Sequence, residues 1–153
     1  MKITDILPET LVIPTLNGKT KQEVLRELAE AMAAEHSELD AQRLDQVLWE
    51  RERLGSTAIG DGIAIPHGKL SGLHTVLGAF ARHASGVDFE SLDGQPTKLF
   101  FLLVAPDDSV GQHLKALARV SRLLKDASFR AQLMAAQDRH DLYRLIKEED
   151  EKY

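Results

Sequence analysis

Apolar positions along this chain change period twice, and the changes divide it into three stretches. Near the N-terminus Leu11, Val12 and Ile13 run together and are closed by Pro14, the pattern of a short extended segment. Thr20-Lys21-Gln22-Glu23 then places a hydroxyl three residues ahead of a carboxylate, the form of a capping box. Val24, Leu25, Leu28 and Met32 follow at helical spacing, which predicts a helix from Thr20 to about His36. A second helix begins near Asp40, carries Leu44, Val47 and Leu48 on one stripe, and stops at Gly55.

Between Gly55 and Gly72 the helical period vanishes. The segment GSTAIGDGIAIPHGKLSG holds five glycines in eighteen residues, which predicts short strands joined by tight turns. Val76 to Arg82 reads as a strand and Asp93-Gly94 as a turn. Leu99 to Ala105 (LFFLLVA) is apolar on both faces and predicts a central strand covered by helices on either side. Helical spacing returns in the last third. Asp107, Asp108 and Ser109 offer caps to a helix whose buried face is read as Leu114, Leu117 and Leu124, with Val120. Ser128 precedes a short helix with Leu133 and Met134, and Asp138 opens another with Leu142, Leu145 and Ile146. The charged tail from about residue 147, KEEDEKY, is expected to fray. The fold class expected is α/β, one domain over residues 1–153 with the sheet in the middle.

Composition narrows the function. The chain has 153 residues, enough to bury a useful core, with 43% hydrophobic and 28% charged residues. A net charge of -5 leaves no basic excess for a general nucleic-acid face. With no cysteine, disulfide scaffolds, thiolate metal sites and thiol nucleophiles are excluded. The longest apolar run, Leu99 to Pro106, is eight residues, too short to span a membrane, and the N-terminus lacks a signal-peptide pattern. The expectation is a soluble, cytoplasmic protein with no nucleic-acid partner and no stable membrane insertion.

The candidate chemistry lies in the six histidines. His36 and His140 stand in polar, helix-terminal surroundings, and His74 and His83 flank a strand as exposed ends; all four read as ordinary. His67 is different. In Gly62-Ile63-Ala64-Ile65-Pro66-His67-Gly68-Lys69 a short apolar strand runs into a proline that denies the ladder a donor, so the chain is expected to leave the sheet there and to turn at Gly68. His67 is then held at a strand end, either as a functional group or as a histidine in an exposed turn. His113 falls in the first turn of its helix, where free backbone N–H groups favour an anion, and a half-buried helix-end histidine is the competing reading. Arg51 lies four residues after Val47 and seven after Leu44, which puts it on the apolar stripe of the second helix. A bound phosphate would satisfy an arginine leaning inward there; the competing reading is a pair with an Asp or Glu of the fold or a head snorkelled to solvent. Other chemistries fail on the residues themselves. Gly60-Asp61-Gly62 is not completed as GxGxxG, no P-loop, HExxH or GxSxG occurs, and no cofactor or metal is expected.

The segment Arg51 to Leu70, RERLGSTAIGDGIAIPHGKL, resembles the active-site block of phosphotransferase-system enzyme IIA domains of the fructose/mannitol type. The later stretch LFFLLVAPDDSVGQHLKALARVSRLL resembles that family's second block. A domain of this length looks most like the family's nitrogen-regulatory branch. The resemblance implies a central mixed sheet flanked by helices. It implies that His67 is the phosphorylated histidine, at Nε2, that Arg51, sixteen residues upstream, sits near the phosphate, and that His113 is the second histidine of the site. It implies an HPr-like phosphocarrier protein, charged from phosphoenolpyruvate by an enzyme I, as donor. In the nitrogen branch the phosphate would switch the binding of regulatory protein targets; a homodimer stays open. The alternatives are a sugar-specific enzyme IIA that passes phosphate to a separate IIB protein, and a binding module never phosphorylated. Ile63, Ile65 and Leu70 are expected to form an apolar docking rim beside His67.

Overall fold

In the computed structural model, which describes residues 1–153, six strands form one mixed sheet with helices packed around it. The elements in chain order are β1 (Val12–Ile13), α1 (Lys21–Glu35), α2 (Ala41–Arg53), β2 (Ala58–Gly60), β3 (Ile63–Ala64), β4 (His67–Leu70), β5 (Leu77–Val87), β6 (Thr97–Pro106), α3 (Val110–Leu124), α4 (Ala127–Ala135) and α5 (Arg139–Asp150). The strand order is β1-β5-β6-β3-β2, with β4 also paired to β6. β6 is the axis of the sheet. It runs antiparallel to β5 and parallel to β3 and β4, and every residue in it except Lys98 is buried, as its unbroken apolar run requires.

The helix starts follow from their caps. Thr20 Oγ1 accepts from the Glu23 N–H at 3.1 Å, Asp40 from Gln42 at 3.0 Å, Asp126 from Ser128 at 2.9 Å and Asp138 from Asp141 at 2.9 Å. The capping box at α1 is modified: the Glu23 carboxylate reaches back to the N–H of Lys19, one residue before the cap. α3 begins after Ser109 without a side-chain cap.

Several expectations need correction. The chain does not leave the sheet at Pro66. Ile63 faces Leu99 and His67 faces Leu103 at the same offset, so β3 and β4 are two halves of one line along β6. Pro66 removes a donor, yet its carbonyl still accepts from the Leu103 N–H at 3.0 Å, which keeps the register through the break. Gly68 accordingly makes no turn. It lies within β4, where an added Cβ would sit 2.7 Å from Val47 Cγ1, and the missing side chain is what lets α2 approach the sheet. The charged tail does not fray from residue 147. α5 continues to Asp150, whose buried carboxylate accepts from the Ile3 N–H and from Arg119 Nε, both at 2.7 Å.

On α3 the inward stripe is His113, Ala116, Val120, Leu123 and Leu124, while Leu114 is 60% exposed. Leu114 stands one residue past His113, a turn of about 100° around the helix axis, and that step carries it off the buried face. His83 is not an exposed strand end either. Buried in β5, it donates from Nε2 to the Gly18 carbonyl at 2.8 Å and accepts at Nδ1 from the Gly86 N–H at 3.0 Å.

Candidate functional site

Three elements meet at one edge of the sheet: the last turn of α2, the start of β4 and the first turn of α3. They bring Arg51, His67 and His113 to the walls of one cleft of about 500 Å³. His67 opens β4 with its side chain half-buried. Its Nδ1 lies 2.8 Å from the Ile65 carbonyl oxygen, which can only accept, so the ring proton is on Nδ1 and Nε2 carries the lone pair. Nε2 has no hydrogen-bond partner within the protein.

His113 packs edge-on to that ring, with centroids 5.4 Å apart and planes at 75°. Its Nδ1 is buried without a partner, so Nε2 is the nitrogen free to reach a ligand. Both imidazoles are held below the ordinary histidine pKa. For His67 the main cause is burial; Arg51 and Lys69 add to it, and the bond to Ile65 and the Glu52 carboxylate work against it. For His113 the causes are burial, then His67, then Lys69. Two adjacent rings are therefore both neutral at neutral pH, one of them with a nucleophilic nitrogen fixed by geometry.

Arg51 lies where its helical spacing puts it. Nη1 donates to the Gly55 carbonyl at 2.9 Å, and no carboxylate lies within ion-pairing distance. The fold supplies no anion for it, which removes the internal-carboxylate reading. Lys69, two residues along β4 from His67 and so on the same face, also lines the cleft without an ionic partner. The period of two in a strand is the signal that would have marked Lys69. Glu50 is the one carboxylate in the lining. Of the other histidines, His74 is exposed, His140 lies 3.5 Å from Glu9, and neither they nor His36 reach the cleft.

The expected apolar rim is overturned. Ile63, Ile65 and Leu70 are all buried, because β3 and β4 turn them into the core. The apolar residues around the cleft that do face solvent are Leu54 (86% exposed), Val110 (52%) and Leu114 (60%), from the ends of α2 and α3.

A nucleophilic imidazole, two unpaired cations and a second neutral imidazole in one cleft form an arrangement suited to taking up and holding a phosphoryl group. Residues 5–149 match the family described as phosphoenolpyruvate-dependent sugar phosphotransferase system, EIIA 2, and the chain belongs to that family. Within it, the chain is 45% identical over 146 residues to a nitrogen regulatory protein of Bradyrhizobium diazoefficiens, covering 95% of each. The nitrogen regulatory protein IIA-Ntr of Neisseria meningitidis has the same fold, with a TM-score of 0.88 and 31% identity over 94% of this chain and 98% of that one. The chain is also 36% identical to part of the fructose-specific EIIABC component of Bacillus subtilis, matching 98% of this chain and 24% of that protein. The resemblance read from the two sequence blocks and the mixed α/β fold both stand. No helix is long and apolar enough to cross a membrane.

Proposed function

We propose that this chain is a cytoplasmic, nitrogen-branch enzyme IIA that accepts a phosphoryl group on His67 Nε2 from a histidine-phosphorylated HPr-like carrier. The observation that carries the reading is the hydrogen bond from His67 Nδ1 to the Ile65 carbonyl, which leaves Nε2 as the only nucleophilic nitrogen of the ring. In the transfer, the Nε2 lone pair forms the new N–P bond as the donor's N–P bond breaks, and the donor imidazole leaves with that electron pair. The Nδ1 proton stays on its bond to Ile65, which gains strength as the ring becomes electron-poor. Arg51 and Lys69 offset charge on the equatorial oxygens, and His113 donates an N–H from Nε2 to one of them.

Such a transfer requires another protein to seat its own phosphohistidine over the cleft. The exposed Leu54, Val110 and Leu114 give that partner an apolar ring to cover. The phosphate then adds about two negative charges at the centre of the ring, enough to change which partner docks there. Regulatory protein targets are thus selected by phosphorylation state. The similarity to proteins of the nitrogen regulatory class over nearly the whole of both chains favours this role over sugar transport.

Incubation with phosphoenolpyruvate, enzyme I and the HPr-like carrier, followed by intact-mass spectrometry at mildly alkaline pH, tests the proposal. Wild type is expected to gain one acid-labile phosphate and His67→Ala none. A phosphate on the variant, or none on wild type, would refute it. Transfer onward to a IIB protein in the same mixture would favour the sugar-specific reading.

A further inference from the structure

Behind the cleft, Lys21 and Glu52 form a buried ionic cluster with the exposed Glu90 at its rim. Glu52 follows Arg51 in the last turn of α2, but its side chain is only 1% exposed and points away from the cleft. Three contacts engage its carboxylate. Oε1 accepts from the Thr57 N–H at 3.0 Å and lies 3.0 Å from Lys21 Nζ, and Oε2 accepts from the Thr57 hydroxyl. Lys21, itself buried at the start of α1, is shared with Glu90 at 3.1 Å and lies over the Phe89 ring.

This cluster connects to the nucleophile by backbone hydrogen bonds. The Thr57 carbonyl accepts from the Ile65 N–H at 3.2 Å, and the Ile65 carbonyl accepts from His67 Nδ1 at 2.8 Å. The Ile65 peptide needs such an anchor, since Pro66 after it cannot donate to the sheet. Thr57 lies outside β2, and its N–H and hydroxyl both end on Glu52.

From these contacts we infer that Glu52 is a positioning residue: acting through Thr57 and Ile65, with Lys21 as counter-ion, it holds the His67 ring with Nδ1 protonated and Nε2 bare. This rests on His67 being the phosphoryl acceptor, and it adds the device that selects the accepting nitrogen. The last turn of α2 therefore serves the site twice, with Arg51 on the cleft side and Glu52 on the core side. The charged or titratable groups around the His67 ring are Arg51, Lys69, His113 and Glu50 on the cleft side and Glu52 on the core side.

The test reads the tautomer directly, by long-range proton–nitrogen correlation NMR of the unphosphorylated full chain at pH 8. Glu52→Gln alone leaves the buried Lys21 ammonium with only the exposed Glu90 as counter-charge and risks the fold. The variants are therefore Thr57→Val and the double Lys21→Met/Glu52→Gln, with Thr57→Ser as the conservative control. Wild type and Thr57→Ser are expected to show His67 as the Nδ1–H tautomer. In the other two, with thermal unfolding still cooperative, the Nε2–H population is expected to rise several-fold and donor-dependent phosphorylation to slow by roughly tenfold or more. A His67 tautomer identical to wild type in both folded variants would overturn the inference. Failure of wild type to take phosphate would refute the acceptor reading alone, because the tautomer is measured with no donor present.

Discussion

Gly68→Ala tests whether close approach of α2 to β4 builds the cleft. Gly68 has ordinary strand geometry, so alanine adds no backbone strain, and the effect is confined to packing. The new Cβ would sit 2.7 Å from Val47 Cγ1 and 3.6 Å from Leu48 Cδ2. Carbon atoms prefer about 3.5–4.0 Å, so α2 must move out by close to 1 Å or Val47 must leave its rotamer. Overpacking of this kind costs about 1–3 kcal/mol. For a domain of this size each kcal/mol lowers the midpoint of thermal unfolding by roughly 2–4 °C. Calorimetry should therefore show a drop of several degrees. Arg51 rides on the same helix, so its distance from His67 changes too, and phosphorylation by the carrier should slow by more than the stability loss explains. Val47→Ala removes the Cγ1 atom, and the double variant should recover much of both losses. A Gly68→Ala protein that melts with wild type and is phosphorylated at the wild-type rate would refute the argument.

The pKa directions at His67 and His113 predict that phosphoryl acceptance is flat above the ordinary histidine range and falls only as pH drops below it, which a pH–rate profile checks. Stability has the same sign: the unfolded chain takes up protons on these rings first, so stability is fully present above pH 6.5 and is lost as pH falls through it towards the folded values. Asp150→Asn removes the charge that holds Ile3 and Arg119, and should destabilise by about 1.5–3 kcal/mol in denaturant unfolding although it lies in a sequence that looks like a loose tail. Leu114→Asp, at an exposed site, should leave stability within about 0.5 kcal/mol of wild type while raising the carrier concentration needed for half-maximal phosphorylation.

How much of this was legible in the sequence depended on how each residue signals its surroundings. The capped starts of α1, α2 and α5 and the doubly apolar β6 follow from local patterns; those patterns leave Arg51, His67 and His113 each with a competing reading, the family resemblance groups them, and the structure brings the three side chains to one cleft. Burial of charge was not legible. Lys21, Glu52 and Asp150 look like solvated helix-end residues until a counter-charge from a distant element is placed beside them, and sequence spacing does not place it. A leucine near an apolar stripe suits either flank, so Leu114 reads as core; only packing on β6 decides that His113 and Ala116 face inward while Leu117 stays at the margin of the core and Leu114 faces solvent. Proline at position 66 suggested an exit from the sheet, whereas a single lost donor is absorbed when the partner strand is long and the register holds on both sides. Glycine at position 68 suggests a turn, whereas its missing side chain instead makes room within β4 for Val47 of α2, a neighbour that the local sequence does not name.

With Nδ1 of His67 committed to the Ile65 carbonyl, phosphate is expected on Nε2. The direct measurement is phosphorus–nitrogen correlation NMR on the isotopically labelled chain, phosphorylated by its carrier and held at mildly alkaline pH. A single phosphorus signal coupled to Nε2 of His67 is expected, with Nδ1 still protonated. Coupling to Nδ1, or to any other histidine, would contradict it.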